Sequence, residues 1–195
     1  MKKIKWLSII IISLTLILAL GSCAKPPTAE ADAARAAVAA AESNPDVPMY
    51  AANTLTRAKD SLSRMQNELD AKKYESAKTL ALETVKIADE AAAEAKTAKE
   101  RVKASASSVF DSLKKNIAET EKALAAAGKT RGIKLDFTAA SAELAAIKKA
   151  MDAAGSDFNS GAFKTSLEKG ESAQSRLTAL NRLISDAVRD ASKKK

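Results

Sequence analysis

The chain has 195 residues, of which 43 are Ala, 7 aromatic, 6 Gly, 4 Pro, 1 Cys and none His, and its formal net charge is +8. Without His there is no Ser-His-Asp triad, no Cys-His pair and no imidazole metal site. One Cys excludes an internal disulfide and a thiolate zinc cluster. So little Gly and Pro, with few aromatic residues, argues against a β-sandwich or barrel and for long helices.

The chain opens with Lys2, Lys3 and Lys5, followed by an apolar run from Leu7 to Leu20 broken only by Ser8, Ser13 and Thr15. That length suits the core of a signal peptide and is short for a bilayer-spanning helix. It ends in Leu20-Gly21-Ser22-Cys23, which resembles the bacterial lipobox: an aliphatic residue, two small residues, then Cys. The resemblance implies a diacylglyceryl group on the Cys23 thiol, removal of residues 1–22 and acylation of the new amino group. Gly21 and Ser22 depart mildly from the commoner Ala/Ser and Gly/Ala. Loss of the three lysines would lower the formal charge from +8 to +5. Ala24, rather than Asp, after the Cys implies the outer membrane, facing the periplasm. Two or three acyl chains anchor stably, at about 0.8 kcal/mol per buried methylene. Residues 23–28, with Pro26-Pro27, read as a short extended tether.

A first helix is expected over Thr28–Ser43, with Thr28 as its cap and acids in its first turn. Asn44-Pro45-Asp46-Val47-Pro48 breaks it. A second helix follows from about Pro48 to Ala71, with Tyr50, Leu55, Ala58, Leu62, Met65 and Leu69 on one stripe. Lys72-Lys73 is a corner without a strong breaker. A third helix starts near Tyr74 on a sustained, Ala-filled heptad. The stripe resumes through Phe110, Leu113, Ile117 and Leu124 after a stutter at Ser105, Ser107 and Ser108. One continuous helix over about 73–127, roughly 80 Å long, is expected, with a break at those serines as the alternative. A fourth helix is expected from about Leu135 to Ala154, a corner from Gly155 to Gly161, and a fifth helix from about Ala162 to Ala191. The resulting fold class is all-α: an elongated rod of two three-helix bundles, 29–105 and 106–191, sharing the long helix. A basic tail, 192–195, follows. An ungapped offset of 89 residues pairs Leu55 with Leu144, Ala58 with Ile147, Leu62 with Met151, Leu69 with Phe158 and Tyr74 with Phe163, as an internal repeat would.

The stretch from Ala31 to about Val102 resembles a family of bacterial envelope domains of unknown function seen in Ala-rich lipoproteins. The likeness rests on the Ala-rich first helix, on Tyr50-Ala51, Leu55 and Ala58, and on the corner Asp70 to Ala77. Some members are fused to OmpA-like domains. The family supplies no catalytic residues to carry over.

Carboxylate pairs such as Asp89/Glu90 and Glu119/Glu121 sit among lysines and read as a solvated face rather than as acid/base groups or metal ligands. Arg189, Lys193, Lys194 and Lys195 are the best candidates for an electrostatic contact with anionic lipid or cell-wall polymer. Few aromatics and an envelope address argue against nucleic acid. Phe110, Phe137, Phe158 and Phe163 are expected in the core. No cofactor is implied beyond the lipid on Cys23, and no enzyme activity. The reading is a lipid-anchored periplasmic scaffold, spacer or adaptor with envelope proteins or peptidoglycan as partners. The alternatives are a small-ligand or lipid module with a cavity near Phe110, Phe137 and Phe163, and a self-assembling coiled coil.

Overall fold

In the computed structural model the described residues, 25–193, form six α-helices and no strand. The expected signal peptide, including Leu20, Gly21 and Ser22, lies outside them, as do Cys23, Lys194 and Lys195. The helices are α1 (Thr28–Ser43), α2 (Asp46–Tyr50), α3 (Ala52–Asp70), α4 (Tyr74–Gly128), α5 (Phe137–Asn159) and α6 (Phe163–Ser192). The all-α expectation holds, and α4 runs unbroken for 55 residues through the serines of the stutter.

Other boundaries differ from the expectation for local reasons. Pro27, not Thr28, takes the cap position of α1, and no side chain caps the helix. The helix expected from Pro48 to Ala71 is divided at Ala51, where φ swings to −136°. Pro48 falls in the first turn of α2, where a missing N–H leaves no bond unmade. Gly155 does not end α5. A glycine inside a helix costs only about 1 kcal/mol relative to Ala, and fully buried Ala154 beside it holds the helix in place. The start of α5 is set instead by Asp136, whose carboxylate accepts the Ala139 N–H at 2.9 Å.

Two compact units divide between Glu94 and Ala95. In the first, Ala31 and Ala34 of α1, Met65 of α3, and Leu80 and Ala81 of α4 form one buried cluster. Val47 of α2 is fully buried as well. The Thr84 hydroxyl is buried among them, 2.7 Å from the Leu80 carbonyl to which it donates and 2.8 Å from the Ser61 hydroxyl. Ion pairs Lys59–Glu42 (2.5 Å) and Lys78–Glu30 (3.1 Å) tie α3 and α4 to α1 at the surface. Glu30 is held below the ordinary carboxylate range, first by a backbone hydrogen bond and then by Lys78.

The second unit has a core of branched aliphatics: Leu113 and Ile117 of α4, Leu144 and Ile147 of α5, and Leu177, Leu180 and Ile184 of α6. Gly170 of α6 lies where an added Cβ would meet the Val109 Cγ1 at 2.9 Å. The four phenylalanines are only partly buried, which corrects the expectation that they form the core. Phe137 packs against its margin. Phe158 stands edge-on between Phe110 and Phe163, with ring centroids at 5.7 and 5.1 Å. Lys103 Nζ lies 5.5 Å over the Phe163 ring.

Compared residue by residue, the two units repeat one motif. At the offset of 89, buried Leu55, Ala58, Met65, Ala77, Ala81, Ala88 and Ala91 correspond to buried Leu144, Ile147, Ala154, Ser166, Gly170, Leu177 and Leu180. Helix ends Asp70 and Asn159 correspond, as do helix starts Tyr74 and Phe163. The corners share their hydrogen bonds: Lys72 to Leu69 and Lys73 to Glu68 in one, Gly161 to Phe158 and Ala162 to Asp157 in the other. These two bonds are the Schellman closure of a helix C-terminus, with its left-handed residue at Lys72 (φ 57°) and Gly161 (φ 85°). For the preceding helix the offset becomes 86, pairing Ala31 and Ala34 with Ile117 and Thr120, all buried. The connection before the hairpin is thus three residues longer in the second unit.

Candidate functional site

Among the sequence-selected residues, Cys23, Leu20, Gly21, Ser22, Lys194 and Lys195 lie outside the described chain. Arg189, in the last turn of α6, pairs with Asp186 at 2.7 Å and stays largely exposed, and Lys193 follows the helix end. Two of the four acids weighed as chemistry are in ion pairs at the surface. Glu90 pairs with Lys86 at 3.9 Å, and Glu121 pairs with Lys148. Among the described residues no group of three or more His, Cys, Asp or Glu is placed to hold a metal ion, and no helix is long and apolar enough to cross a membrane.

The first unit carries a polar groove of about 440 Å³ between α3 and α4, lined by Arg64, Asn67, Glu68, Thr79 and Glu83, and further grooves lie in the second unit. One groove of about 500 Å³ runs between α4 and α5, lined by Phe110, Asp111 and Lys114 opposite Met151 and Asp152. Gly155 lines it too and has open space where a side chain would stand. Of the three phenylalanines named for a cavity, Phe110 lines this groove; Phe137 and Phe163 do not. Its charged walls and open form suit a polar contact better than an enclosed ligand.

The second groove, about 450 Å³, lies between α5 and α6. Positions 136, 139, 140 and 143 of one stripe face positions 176, 179, 180 and 183 of the other. That is the i, i+3, i+4, i+7 spacing of one helical face on each side. Ala139, Ala140 and Ala179 keep it open, Leu135 and Leu180 line it, and Leu183 is 60% exposed at its edge. Arg176 closes one wall, donating from Nε and Nη2 to the two Glu143 carboxylate oxygens at 2.7 and 2.9 Å. This bidentate geometry is the strongest form of the pair. The Arg176 guanidinium holds Glu143 below the ordinary carboxylate range, and Glu143 holds Arg176 above its own. Sequence reasoning missed this groove. Its one legible signal was Leu183, an aliphatic residue off the core stripe of Leu177, Leu180 and Ile184.

Residues 29–107 match the model of a family described as a domain of unknown function, DUF4398. The match spans α1, α2, α3 and the first part of α4, and it contains the stretch from Ala31 to about Val102 read from the sequence as such a domain. No curated protein matches the chain, and no solved structure does.

Proposed function

We propose that the chain is a lipid-anchored protein of the bacterial cell envelope, attached through Cys23 to the periplasmic face of the outer membrane. There it is a non-enzymatic scaffold, spacer or adaptor whose helical surfaces meet envelope proteins or peptidoglycan. The observation that carries the reading is Leu20-Gly21-Ser22-Cys23 at the end of a short apolar run behind three lysines. The helical surface is consistent with an interaction role, since it is charged, mixed in sign and laced with ion pairs. Labelled palmitate is expected to enter the full chain in cells and to be lost in Cys23→Ser. Equal incorporation in the variant would overturn the anchor. Crosslinking in cells is expected to recover an envelope protein or cell-wall fragment, and recovery of neither would count against the scaffold role.

A second reading, a module that holds a small ligand or lipid between helices, is favoured by the groove between α5 and α6. A long helix that self-associates is the remaining alternative, checked by sedimentation: a monomer at micromolar concentration rejects it.

A further inference from the structure

The repeat gives the α5–α6 groove a reference point inside the same chain. Six of its lining positions can be read against the first unit at the offset of 89. Asp136, Ala139, Glu143, Arg176, Ala179 and Leu183 stand where the first unit has Val47, Tyr50, Thr54, Ile87, Glu90 and Glu94. In the first unit the face is self-contained. Val47 and Ile87 are buried, and the Thr54 hydroxyl donates to the Glu94 carboxylate. In the second unit a ring is replaced by a methyl at Ala139. Two acids become Ala179 and Leu183, and the polar link is rebuilt as Glu143–Arg176. At this face the copies differ in both directions: Tyr50, Glu90 and Glu94 give way to Ala139, Ala179 and Leu183, which opens a groove, while Val47, Thr54 and Ile87 give way to the charged Asp136, Glu143 and Arg176 that line it.

We propose that this groove binds the acyl chain of a single-chain lipid with a neutral, hydroxyl-bearing headgroup, of the monoacylglycerol type. The proposal rests on the ligand-binding reading and not on the anchor at Cys23. The volume of about 450 Å³ falls within the range of small-molecule sites, apolar walls with a few fixed polar groups. Leu135, Leu180 and Leu183 supply apolar surface for the chain, and burying Leu183 with it removes an exposed leucine from water. Charge selects the headgroup. Glu143 sets a carboxylate beside the Arg176 guanidinium, so the pair offers no net positive charge to an anionic head. The Arg176–Glu143 pair is neutral as a unit. Glu143 occupies Nε and one N–H of Nη2, which leaves three guanidinium N–H groups, and its carboxylate oxygens keep lone pairs. A hydroxyl both donates and accepts, and so satisfies both halves of the pair. Asp136, about 10 Å from the pair by helical rise, is engaged as the cap of α5, its carboxylate accepting the Ala139 N–H.

The test uses the full chain reconstituted in phosphatidylcholine nanodiscs and a monoacylglycerol with a diazirine in its acyl chain. After photolysis, mass spectrometry maps the label. The expected result is label concentrated at 135–143 and 176–183. It falls by about tenfold when either the chain's contact or its space is removed. Ala139→Tyr and Leu183→Glu do this by restoring the first unit's residues, so the motif itself accommodates both. Circular dichroism verifies helicity, and Leu183→Glu, at an exposed position, gives the answer even if Ala139→Tyr fails to fold. Label spread along all helices, or unchanged in Leu183→Glu, overturns the site. Equal labelling by the matching free fatty acid overturns the headgroup assignment. Cys23→Ser is expected to keep the labelling, so failure of the anchor and failure of the groove are told apart.

Discussion

Gly170→Ala tests the packing of the second unit most directly. In an isolated helix this change stabilises by about 1 kcal/mol, because Ala loses less backbone entropy. Here the new Cβ would lie 2.9 Å from Val109 Cγ1 and 3.9 Å from its Cβ, the first inside any ordinary contact. Val109 cannot swing aside cheaply, since a β-branched side chain in a helix has one strongly preferred rotamer. Overpacking of this kind costs about 1–3 kcal/mol. The net expectation is a loss of about 1 kcal/mol, or about 4–8 °C in Tm for a unit of this size. Urea unfolding followed by circular dichroism measures it. Val109→Ala alone leaves a small void and also destabilises. In the double variant the added methyl occupies part of that void. The two single losses should therefore exceed the double loss by about 1 kcal/mol. The first unit supports the reasoning: Ala81 holds the equivalent position, fully buried, and shares its cluster with the small residues Ala31 and Ala34. A Gly170→Ala chain as stable as the parent, or more so, would refute the close approach.

Three further predictions follow from the paired corners, the buried hydroxyls and the groove. Lys72→Gly should raise stability by up to about 1 kcal/mol, because a left-handed backbone strains any L side chain, and Gly161→Ala should lower it by a similar amount; denaturant midpoints report both. Thr84→Val should cost about 1–3 kcal/mol by stranding the buried Ser61 hydroxyl, whereas adding Ser61→Ala should recover most of that loss, and a double variant as unstable as the single would contradict the pairing. Glu143 has a lowered folded pKa, so its contribution is present above the unfolded carboxylate pKa of about 4.3 and is lost as pH falls through the lowered folded value. Acid titration of stability should therefore show a smaller acid-side loss in Glu143→Gln, and an unchanged profile would show the pair to be electrostatically idle.

Helix positions were legible where the stripe was strong. The long helix could be read through its serines because Ala91 and Ala95 before the stutter and Leu113 and Ile117 after it keep a buried face. The division at Ala51 was not legible. It arises because Val47 must reach the core while α3 sets off on its own axis, a tertiary demand that no local residue announces. The phenylalanines lie on the predicted stripes, but periodicity cannot distinguish a core from its margin, and aliphatic residues took the centre. The groove was missed for a related reason. Ala139 and Ala179 look like helix filler until the facing helix is in place.

By itself the sequence determined three things: an all-helical chain, the register of its repeat, and the lipobox-like end on which the proposed anchor rests. Each is local or periodic, written in residue type and spacing. The tertiary structure decided which equivalent faces stay equivalent. Ala81 and Gly170 occupy one register position, yet Ala81 shares a cluster with Ala31 and Ala34, whereas a Cβ at Gly170 would meet Val109. Tyr50 and Ala139 occupy another, and the smaller residue lines an open groove. Those differences depend on what stands opposite, and pairing across helices is a property of the packed fold.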